Sequence, residues 1–228
     1  MEKISFNQKT IQFNLRDEVD VSIYNEIFKF REYRQTEEII KNASGAIIDV
    51  GAHAGFFSIY AAALNPNAKV YALEPETNNF SALNDNIRLN PDFKKIKLFQ
   101  TALSSKTGTE KLYLSVDSHN HSLIKTSYNN QEIPVKTINL SDFCRQQKIP
   151  KISLLKMDIE GGEYEIIKNL ATTEFNLIDY IFLEAHKTES NSYQDLEKIL
   201  RPAGFSVQVF PCQFDSDLKF ILAHNKRK

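Results

Sequence analysis

The amino-acid sequence predicts an α/β fold in three layers, with helices on both faces of a mostly parallel sheet and an antiparallel strand at one edge. From residue 46 onward, short apolar runs alternate with segments of helical period, which is typical of parallel strands joined by right-handed crossovers. Residues 152–157 and 178–183 are almost continuously apolar, as expected for central strands covered on both faces. Residues 205–210 and 218–223 are too close together for a crossover helix, so we expect them to pair antiparallel.

Each element of this fold is predicted from its hydrophobic period. Alternating or continuous apolar positions indicate strands, and apolar positions three or four residues apart indicate helices. The predicted strands are residues 46–50, 69–73, 96–99, 111–115, 133–138, 152–157, 178–183, 205–210 and 218–223. The predicted helices are residues 56–64, 78–89, 141–147, 162–170 and 192–200.

Two segments stand apart from this regular pattern. Residues 1–44 are interpreted as an N-terminal extension, a hairpin followed by helices, and residues 45–228 as the main domain. The polar segment 116–132 is too long for a plain connector in a compact domain. It is either a lid or binding loop, or a solvated surface loop.

Composition and charge exclude several classes of function. With 28 basic and 29 acidic residues, the chain has a formal net charge of -1 and lacks the basic excess of nucleic-acid-binding proteins, so no nucleic-acid partner is expected. Cys144 and Cys212 form no zinc-binding pattern and fit a reducing compartment. The N-terminus is too polar for a signal peptide, and Asp49 and His53 interrupt the one apolar stretch of membrane-spanning length. We therefore expect a cytoplasmic protein without a transmembrane segment.

The most informative motif is the turn after the first core strand. Asp49 ends this strand, and Gly51 and Gly55 precede the next helix, an arrangement that brings backbone amides to the ligand-binding edge of a parallel sheet. His53 stands where the dinucleotide fingerprint has its second glycine, so a diphosphate fits poorly. Asp49 would repel phosphate and attract a cationic or hydroxylated ligand. An NAD-dependent oxidoreductase is therefore disfavoured.

The second core strand ends in Glu74-Pro75. A carboxylate at this edge can accept two hydrogen bonds from a ribose diol, so Glu74 is a candidate ligand contact. The alternative is that Glu74 is a surface acid that caps the following helix.

Ionisable residues crowd the end of the strand at 152–157, where Asp158, Glu160 and Glu163 follow within six residues. Such crowding is costly unless the groups serve a site, so Asp158 and Glu160 are candidates for catalysis or cofactor binding. A hard cation on these two carboxylates is an alternative, although we assign no metal. Glu163 is suited to the N-terminus of the following helix.

His186 follows the next strand and is a candidate general base, because the pKa of a histidine is ordinarily close to neutral pH. The alternative is a histidine that makes only structural hydrogen bonds. His119 and His121 lie in the polar segment and are expected to face solvent, although either could reach a substrate if the loop closes.

Taken in order, four motifs resemble those of the FkbM-type, S-adenosylmethionine-dependent methyltransferases of the class I, Rossmann-like group. The motifs are residues 49–55, 72–75, 155–163 and 183–186, within a resemblance that covers residues 46–210. The resemblance implies a Rossmann-like fold, S-adenosylmethionine as cofactor, and methyl transfer to a hydroxyl oxygen of a sugar, glycan, lipid or polyketide-like small molecule. The rival functions are an RNA or protein N-methyltransferase, whose usual Asn/Asp-Pro-Pro-aromatic motif is missing at 158–161, and a catalytically silent binding module.

The resemblance also implies roles for individual residues. The methionine part of the cofactor would lie on Asp49, Gly51 and Gly55, the ribose on Glu74, the adenine near Thr101 and Ala102, and the sulfonium beside Asp158. His53 and Gly162 depart from the asparagine and alanine that the family commonly carries. The full set of expected cofactor contacts is Asp49, Gly51, His53, Gly55, Glu74, Pro75, Thr101, Ala102 and Asp158. The catalytic candidates are His186 first, then Asp158 and Glu160.

Overall fold

The computed structural model describes residues 1–115, 121–124, 131–188 and 190–227. The strands are β1 (Glu2–Phe6), β2 (Lys9–Phe13), β3 (Ala46–Val50), β4 (Lys69–Leu73), β5 (Ile96–Phe99), β6 (Ala102–Leu103), β7 (Gly108–Leu114), β8 (Gln131–Ile138), β9 (Ile152–Met157), β10 (Ile178–Ala185), β11 (Phe205–Pro211) and β12 (Lys219–Asn225). The α-helices are α1 (Glu18–Tyr24), α2 (Glu37–Lys41), α3 (Phe56–Leu64), α4 (Thr77–Arg88), α5 (Leu140–Gln147), α6 (Glu163–Asn169), α7 (Thr172–Phe175) and α8 (Tyr193–Leu200). A π-helical turn (Asn25–Lys29) and a 3₁₀ turn (Arg34–Thr36) lie between α1 and α2.

A seven-stranded sheet forms the centre of the molecule, in the order β11-β12-β10-β9-β3-β4-β5. The strands from β10 to β5 run parallel, and β12 runs antiparallel to both β10 and β11. The predicted mostly parallel sheet with an antiparallel edge is confirmed. β11 extends one residue beyond the predicted strand, to Pro211, which pairs with Lys219.

Helices cover both faces of the sheet, because alternate residues of the buried strands point to opposite sides. Ile48 and Leu155 pack in the cluster with helices α5, α6 and α8, whereas Ile47 and Leu154 pack in the cluster with α3 and the N-terminal segment. All four side chains are fully buried. The predicted three-layer sandwich is confirmed.

The N-terminal residues build a hairpin, β1 and β2, followed by short helices. Phe13 of the hairpin packs against Phe28 and Phe56, so this segment shares a core with the central sheet. Asn86 of α4 and Asn90, two residues after that helix ends, fasten the hairpin, since the amide of Gln12 donates to Asn90 and the amide of Asn14 donates to Asn86. The division of the chain at residue 45 stays a prediction.

A second, three-stranded sheet in the order β6-β8-β7 was not predicted as a separate unit. The two-residue strand β6 and the four-residue helix α7 are too short to show a hydrophobic period, which is why the sequence did not reveal them. Most of the predicted lid or loop at 116–132 lies outside the described residues. Within the described parts of the chain, no helix has both the length and the apolar character needed to cross a bilayer.

The sheet order places β3 at a topological switch point. The chain proceeds from β3 outward through β4 and β5, and later returns to the other side of β3 as β9 and β10. The carboxyl ends of β3, β4 and β9 therefore meet at one edge, where open α/β sheets bind their ligands.

Gly51 is the point of closest backbone approach at this edge. Its φ is 73°, and a Cβ atom on it would lie 1.9 Å from the carbonyl oxygen of Asp158. Only glycine adopts this left-handed conformation readily and leaves room for the neighbouring chain.

We expect Gly51→Ala to lower the free energy of unfolding by roughly 2–5 kcal/mol. This range is the sum of the cost of a left-handed backbone conformation at alanine and the cost of overpacking against the neighbouring chain. The matched control is Gly108→Ala, because a Cβ there meets nothing within 4 Å. Urea denaturation of the three proteins measures the difference. Equal midpoints for the Gly51 and Gly108 variants would contradict the close approach.

Candidate functional site

A cleft opens at the carboxyl edge of the sheet. Gly51, Glu74 and Asp158 reach it from the ends of β3, β4 and β9. Tyr33 of the N-terminal segment and Ala102 of the small sheet also line it. The sequence predicted the strand-end residues together at this edge, and the structure adds the N-terminal wall.

The turn between β3 and α3 is fastened to the end of β4. The amides of Gly51 and Ala52 donate to the carbonyl oxygen of Leu73 at 3.1 and 3.0 Å, and the amide of His53 donates to Glu74 Oε2 at 2.9 Å. The expectation that the turn brings its amides to a ligand is therefore corrected, since these three amides already have partners within the protein.

Glu74 is a buried carboxylate with 5% of its surface exposed. Besides His53, the amide of Glu76 donates to it, at 2.9 Å from Oε1. Burial raises the pKa of Glu74 to about 7, and the nearby Glu76 and Asp49 add to the rise, while the two amide hydrogen bonds oppose it. Each oxygen retains a second lone pair for a hydroxyl donor in the cleft. The alternative role as helix cap is wrong, because Glu76 is the residue that caps α4.

Asp49 and Lys156 form a fully buried ion pair beneath the glycine turn. Lys156 Nζ lies 3.3 Å from Asp49 Oδ1, and the Ser58 hydroxyl donates to Asp49 Oδ2 at 2.7 Å. The same ammonium donates to the carbonyl oxygen of Gly51 at 3.2 Å and lies 3.7 Å from Asp158 Oδ2. Burial raises the pKa of Asp49, opposed by Lys156. The sequence did not single out Lys156, although a lysine inside an apolar strand is a signal for a buried partner.

The N-terminal segment contacts the same turn through an arginine–aspartate pair. Arg16 donates to both carboxylate oxygens of Asp20 at 2.8 Å, and its Nη1 donates to Asn79 Oδ1 at 3.0 Å. Arg16 Nη2 also lies 3.2 Å from His53 Nε2. These contacts connect the extension to the glycine turn and to the start of α4. No motif in the sequence indicated them.

The three catalytic candidates form a cluster beside the cleft. His186 Nε2 lies 3.4 Å from Glu160 Oε1 and 4.0 Å from Asp158 Oδ1, and all three side chains are partly buried. Donor atoms of the three residues lie within 4.8 Å of one another, so the cluster is also a candidate cation site.

The carboxylates of this cluster favour a positive charge on His186. Burial alone would lower the pKa of His186, but Glu163, Glu160 and Asp158 outweigh burial and raise that pKa well above its ordinary value. Burial raises the pKa of Glu160 to about 7, with His186 opposing the rise. Glu163 begins α6 as predicted, and its carboxylate also faces His186, which the sequence did not reveal.

Tyr33 and Glu184 form a second buried pair that the sequence did not indicate. The Tyr33 hydroxyl donates to the carboxylate of Glu184, and the ring packs between Phe57 and Phe182. Burial raises the pKa of both groups well above their ordinary values. Because Tyr33 comes from the N-terminal segment, only the folded chain brings it to the end of β10.

The remaining predicted residues divide between the cleft wall and its supports. Pro75 and Ala102 line the cleft. Gly55 packs against α4, since a Cβ on it would lie 2.5 Å from Leu83 Cδ1. The Thr101 hydroxyl donates to the carbonyl oxygen of Lys136 at 3.0 Å.

The two loop histidines have different outcomes. His119 lies outside the described residues. His121, expected to face solvent, instead lines the cleft, where its Nδ1 accepts from the amide of Ser115 at 3.1 Å. His121 is half-buried and reaches the cleft, which is the alternative to solvent exposure that the sequence left open.

The chain is similar in sequence to known methyltransferases. Residues 49–207 match the family described as Methyltransferase FkbM domain. The chain is 28% identical to methyltransferase sdnD of Sordaria araneosa, over 81% of this chain and 82% of that protein. It is 24% identical to hexuronic acid methyltransferase AglP of Haloferax volcanii, over 86% and 81%. It is 25% identical to 31-O-demethyl-FK506 methyltransferase FkbM of Streptomyces tacrolimicus, over 81% of each.

Solved structures share the fold. Methyltransferase FkbM from Methylobacillus flagellatus KT superposes with a TM-score of 0.57 at 15% identity, over 92% of this chain and 56% of that one. TrmK of M. capricolum, in complex with S-adenosyl-homocysteine, superposes with a TM-score of 0.56 at 14% identity, over 86% and 68%. These likenesses show the Rossmann-like class I methyltransferase fold.

The Asp49–Lys156 pair generates a stability prediction. We expect Lys156→Met to lower the free energy of unfolding by about 3–5 kcal/mol, because it leaves the buried carboxylate without its counter-charge. In the double variant, the additional change Asp49→Asn restores much of the lost stability. The reason is that the asparagine side chain still accepts from Ser58 and carries no charge.

Urea denaturation of wild type, both single variants and the double variant completes this cycle. Losses that simply add in the double variant would show that the two side chains are not energetically coupled.

Proposed function

Because the chain belongs to the FkbM methyltransferase family, we propose that it uses S-adenosylmethionine to methylate a hydroxyl oxygen of a small-molecule acceptor. The observation that carries this proposal is the position of Glu74 and Asp158. These two carboxylates come from the ends of β4 and β9 and line one cleft. They suit a ligand with a ribose diol and a positive charge and no phosphate.

The cofactor assignment follows the charges of the cleft. S-adenosylmethionine carries a cationic sulfonium, and Asp158 supplies the opposite charge near the end of β9. Lys156, the cation at this strand end, is held by Asp49 and is buried. The bound S-adenosyl-homocysteine in the TrmK complex supports the same choice of cofactor.

The predicted cofactor contacts fall into two groups in this proposal. Glu74 accepts from the ribose hydroxyls, and Pro75 and Ala102 contact the nucleoside. Gly51, which lines the cleft, contacts the methionine part. Other residues act through these contacts, because they shape or hold the turn and the strand ends. They are Asp49, Gly55 and Thr101, whereas His53 lines the cleft itself and stays a predicted contact.

The acceptor reacts beside the Asp158 end of the cleft. Its oxygen attacks the methyl carbon in line with the departing sulfur, and the enzyme contributes chiefly by aligning the two. Asp158, Glu160 and His186 are the side chains that we assign to the acceptor hydroxyl. The sequence ranked His186 first as the proton acceptor, but its raised pKa keeps the imidazole protonated, so the carboxylate of Asp158 or Glu160 receives the proton instead. The names of the hexuronic acid and 31-O-demethyl-FK506 relatives support a sugar or polyketide-like hydroxyl as the acceptor.

Isothermal calorimetry tests the cofactor. We expect S-adenosylmethionine and S-adenosylhomocysteine to bind and NAD not to bind. Glu74→Ala should weaken binding by about 1.5–3 kcal/mol, the range for hydrogen bonds to a charged group. Glu132→Ala, an exposed acid on β8, is the matched control and leaves affinity unchanged.

Two outcomes of this calorimetry would each contradict a different part of the proposal. Unchanged affinity in Glu74→Ala would remove this carboxylate from the site. No binding of either sulfur compound to the wild type would overturn the enzyme assignment and favour a methyltransferase-like binding module.

The pKa of Glu74 generates a pH prediction. The ionised carboxylate accepts from the ribose hydroxyls, and with a pKa near 7 it is largely ionised at pH 8 and largely protonated at pH 6. Binding of S-adenosylmethionine therefore weakens as the pH falls through 7, by at most about ten-fold per pH unit for one proton.

Calorimetry at pH 8, 7 and 6 measures this dependence. The side chain of the Glu74→Gln variant cannot ionise. We expect this variant to bind S-adenosylmethionine more weakly at pH 8 and to lose the part of the pH dependence that Glu74 causes. If this variant keeps the full pH dependence of binding, the titrating group is not Glu74.

A further inference from the structure

The cluster beside the cleft has the donor atoms of a metal site. It combines two carboxylates, from Asp158 and Glu160, with one imidazole nitrogen, from His186. Metal–oxygen and metal–nitrogen bonds of about 2.0–2.2 Å place neighbouring donor atoms about 3.0–3.6 Å apart. The 3.4 Å between His186 Nε2 and Glu160 Oε1 falls in this range, and Asp158 Oδ1 lies 4.0 Å from the same nitrogen.

A second observation comes from the other side of the imidazole. Glu163 is fully buried, and its Oε1 lies 3.5 Å from His186 Nδ1. Metal-binding histidines characteristically present their outer nitrogen to a carboxylate, which orients the ring and raises its basicity. Glu163 Oε1 is held in turn by the amide of Ile159 at 2.8 Å. Glu163 Oε2 is buried and has no hydrogen-bond partner within the described part of the chain.

The backbone at Glu160 provides a third observation. This residue has a φ of 55°, in the left-handed region that side-chain-bearing residues seldom adopt. Its carbonyl oxygen accepts from the Ser122 hydroxyl at 2.8 Å, which helps to hold this conformation. Strain of this kind is typical of residues whose side chain must point to a functional site.

The two oxygens of Asp158 face different partners. Oδ2 lies 3.7 Å from Lys156 Nζ, toward the buried ion pair, and Oδ1 faces His186. Asp158 also lines the cleft. A cation on Oδ1 would therefore stand beside the acceptor oxygen without displacing the lysine.

We propose that Asp158, Glu160 and His186 bind one divalent cation, and that this cation holds the acceptor oxygen during methyl transfer. Two carboxylates and one imidazole suit Mn²⁺ and similar first-row cations, and three protein ligands leave coordination positions open for the acceptor. The proposal rests on the proposed function, because it places the cation at the acceptor end of the same cleft.

The reaction stays balanced with this cation. The acceptor oxygen forms a bond to the methyl carbon while the methyl–sulfur bond breaks, and the electron pair of that bond stays on sulfur, which becomes a neutral thioether. The proton of the acceptor hydroxyl passes to water, because a bound divalent cation lowers the pKa of the hydroxyl that it holds. With the cation bound, the imidazole of His186 and the two carboxylates are ligands rather than proton acceptors, and Glu163 is the positioning residue of His186.

Manganese binding tests the site without any need for an acceptor. The full-length chain is treated with a chelator, dialysed and titrated with MnCl₂, and free Mn²⁺ is followed by electron paramagnetic resonance with calorimetry in parallel. We expect one Mn²⁺ per chain. His186→Asn and Glu160→Gln should each weaken binding at least ten-fold, and Glu163→Gln should weaken it as well.

His224→Asn is the matched control, because this exposed histidine of β12 stacks on Tyr180 outside the cluster. It should bind Mn²⁺ as the wild type does. Circular dichroism confirms that each variant is folded, and Glu160→Gln, at a partly exposed side chain, is the second variant should His186→Asn unfold.

Two results would overturn the cation site: no Mn²⁺ bound by the wild type at millimolar concentration, or binding that His186→Asn and Glu160→Gln both retain. Calorimetry with S-adenosylmethionine separates this failure from that of the proposed function. Cofactor binding by a chain that binds no Mn²⁺ overturns the cation alone. Specific Mn²⁺ binding by a chain that binds no cofactor supports the cation site and overturns the methyltransferase assignment.

Discussion

The buried ion pair between Asp49 and Lys156 is the interaction on which the rest of the site depends. It joins the ends of β3 and β9 at the point where the sheet order reverses, and the same ammonium donates to the carbonyl oxygen of Gly51. A buried charge that loses its partner is strongly unfavourable, so the two strand ends are held together. The Gly51 turn and Asp158 are positioned by this constraint, and the cleft opens between them.

Around this pair, the N-terminal segment completes the cleft. Arg16 bonds to Asp20 and lies against His53, so the segment is fastened to the turn that begins α3. Tyr33 reaches across to Glu184 at the end of β10. The extension therefore provides one wall of the cleft and part of the hydrophobic core, and both faces of the sheet are covered. The cluster of Asp158, Glu160 and His186 lies beside the cleft, after the ends of β9 and β10.

Much of the fold could be predicted because its signals are local. The continuous apolar runs of β9 and β10 and the glycine turn after β3 each indicate their structure within a few residues. The site was predicted as far as its strand-end carboxylates, since parallel strands bring their carboxyl ends to one edge. The two-residue strand β6 is too short to show a period. No pattern in the sequence records the hydrogen bond between His121 and the amide of Ser115.

The sequence by itself determined the order of the strands and helices, the family and the identity of the carboxylates at the sheet edge, because hydrophobic period and motif spacing are properties of contiguous residues. Only the tertiary structure decided which of these groups have partners. Lys156 neutralises Asp49, the amides of His53 and Glu76 bond to Glu74, and Glu163 stands behind His186. All of these pairings except the one from the Glu76 amide join residues that lie far apart in the chain. In a buried site they determine which charges remain available to a ligand.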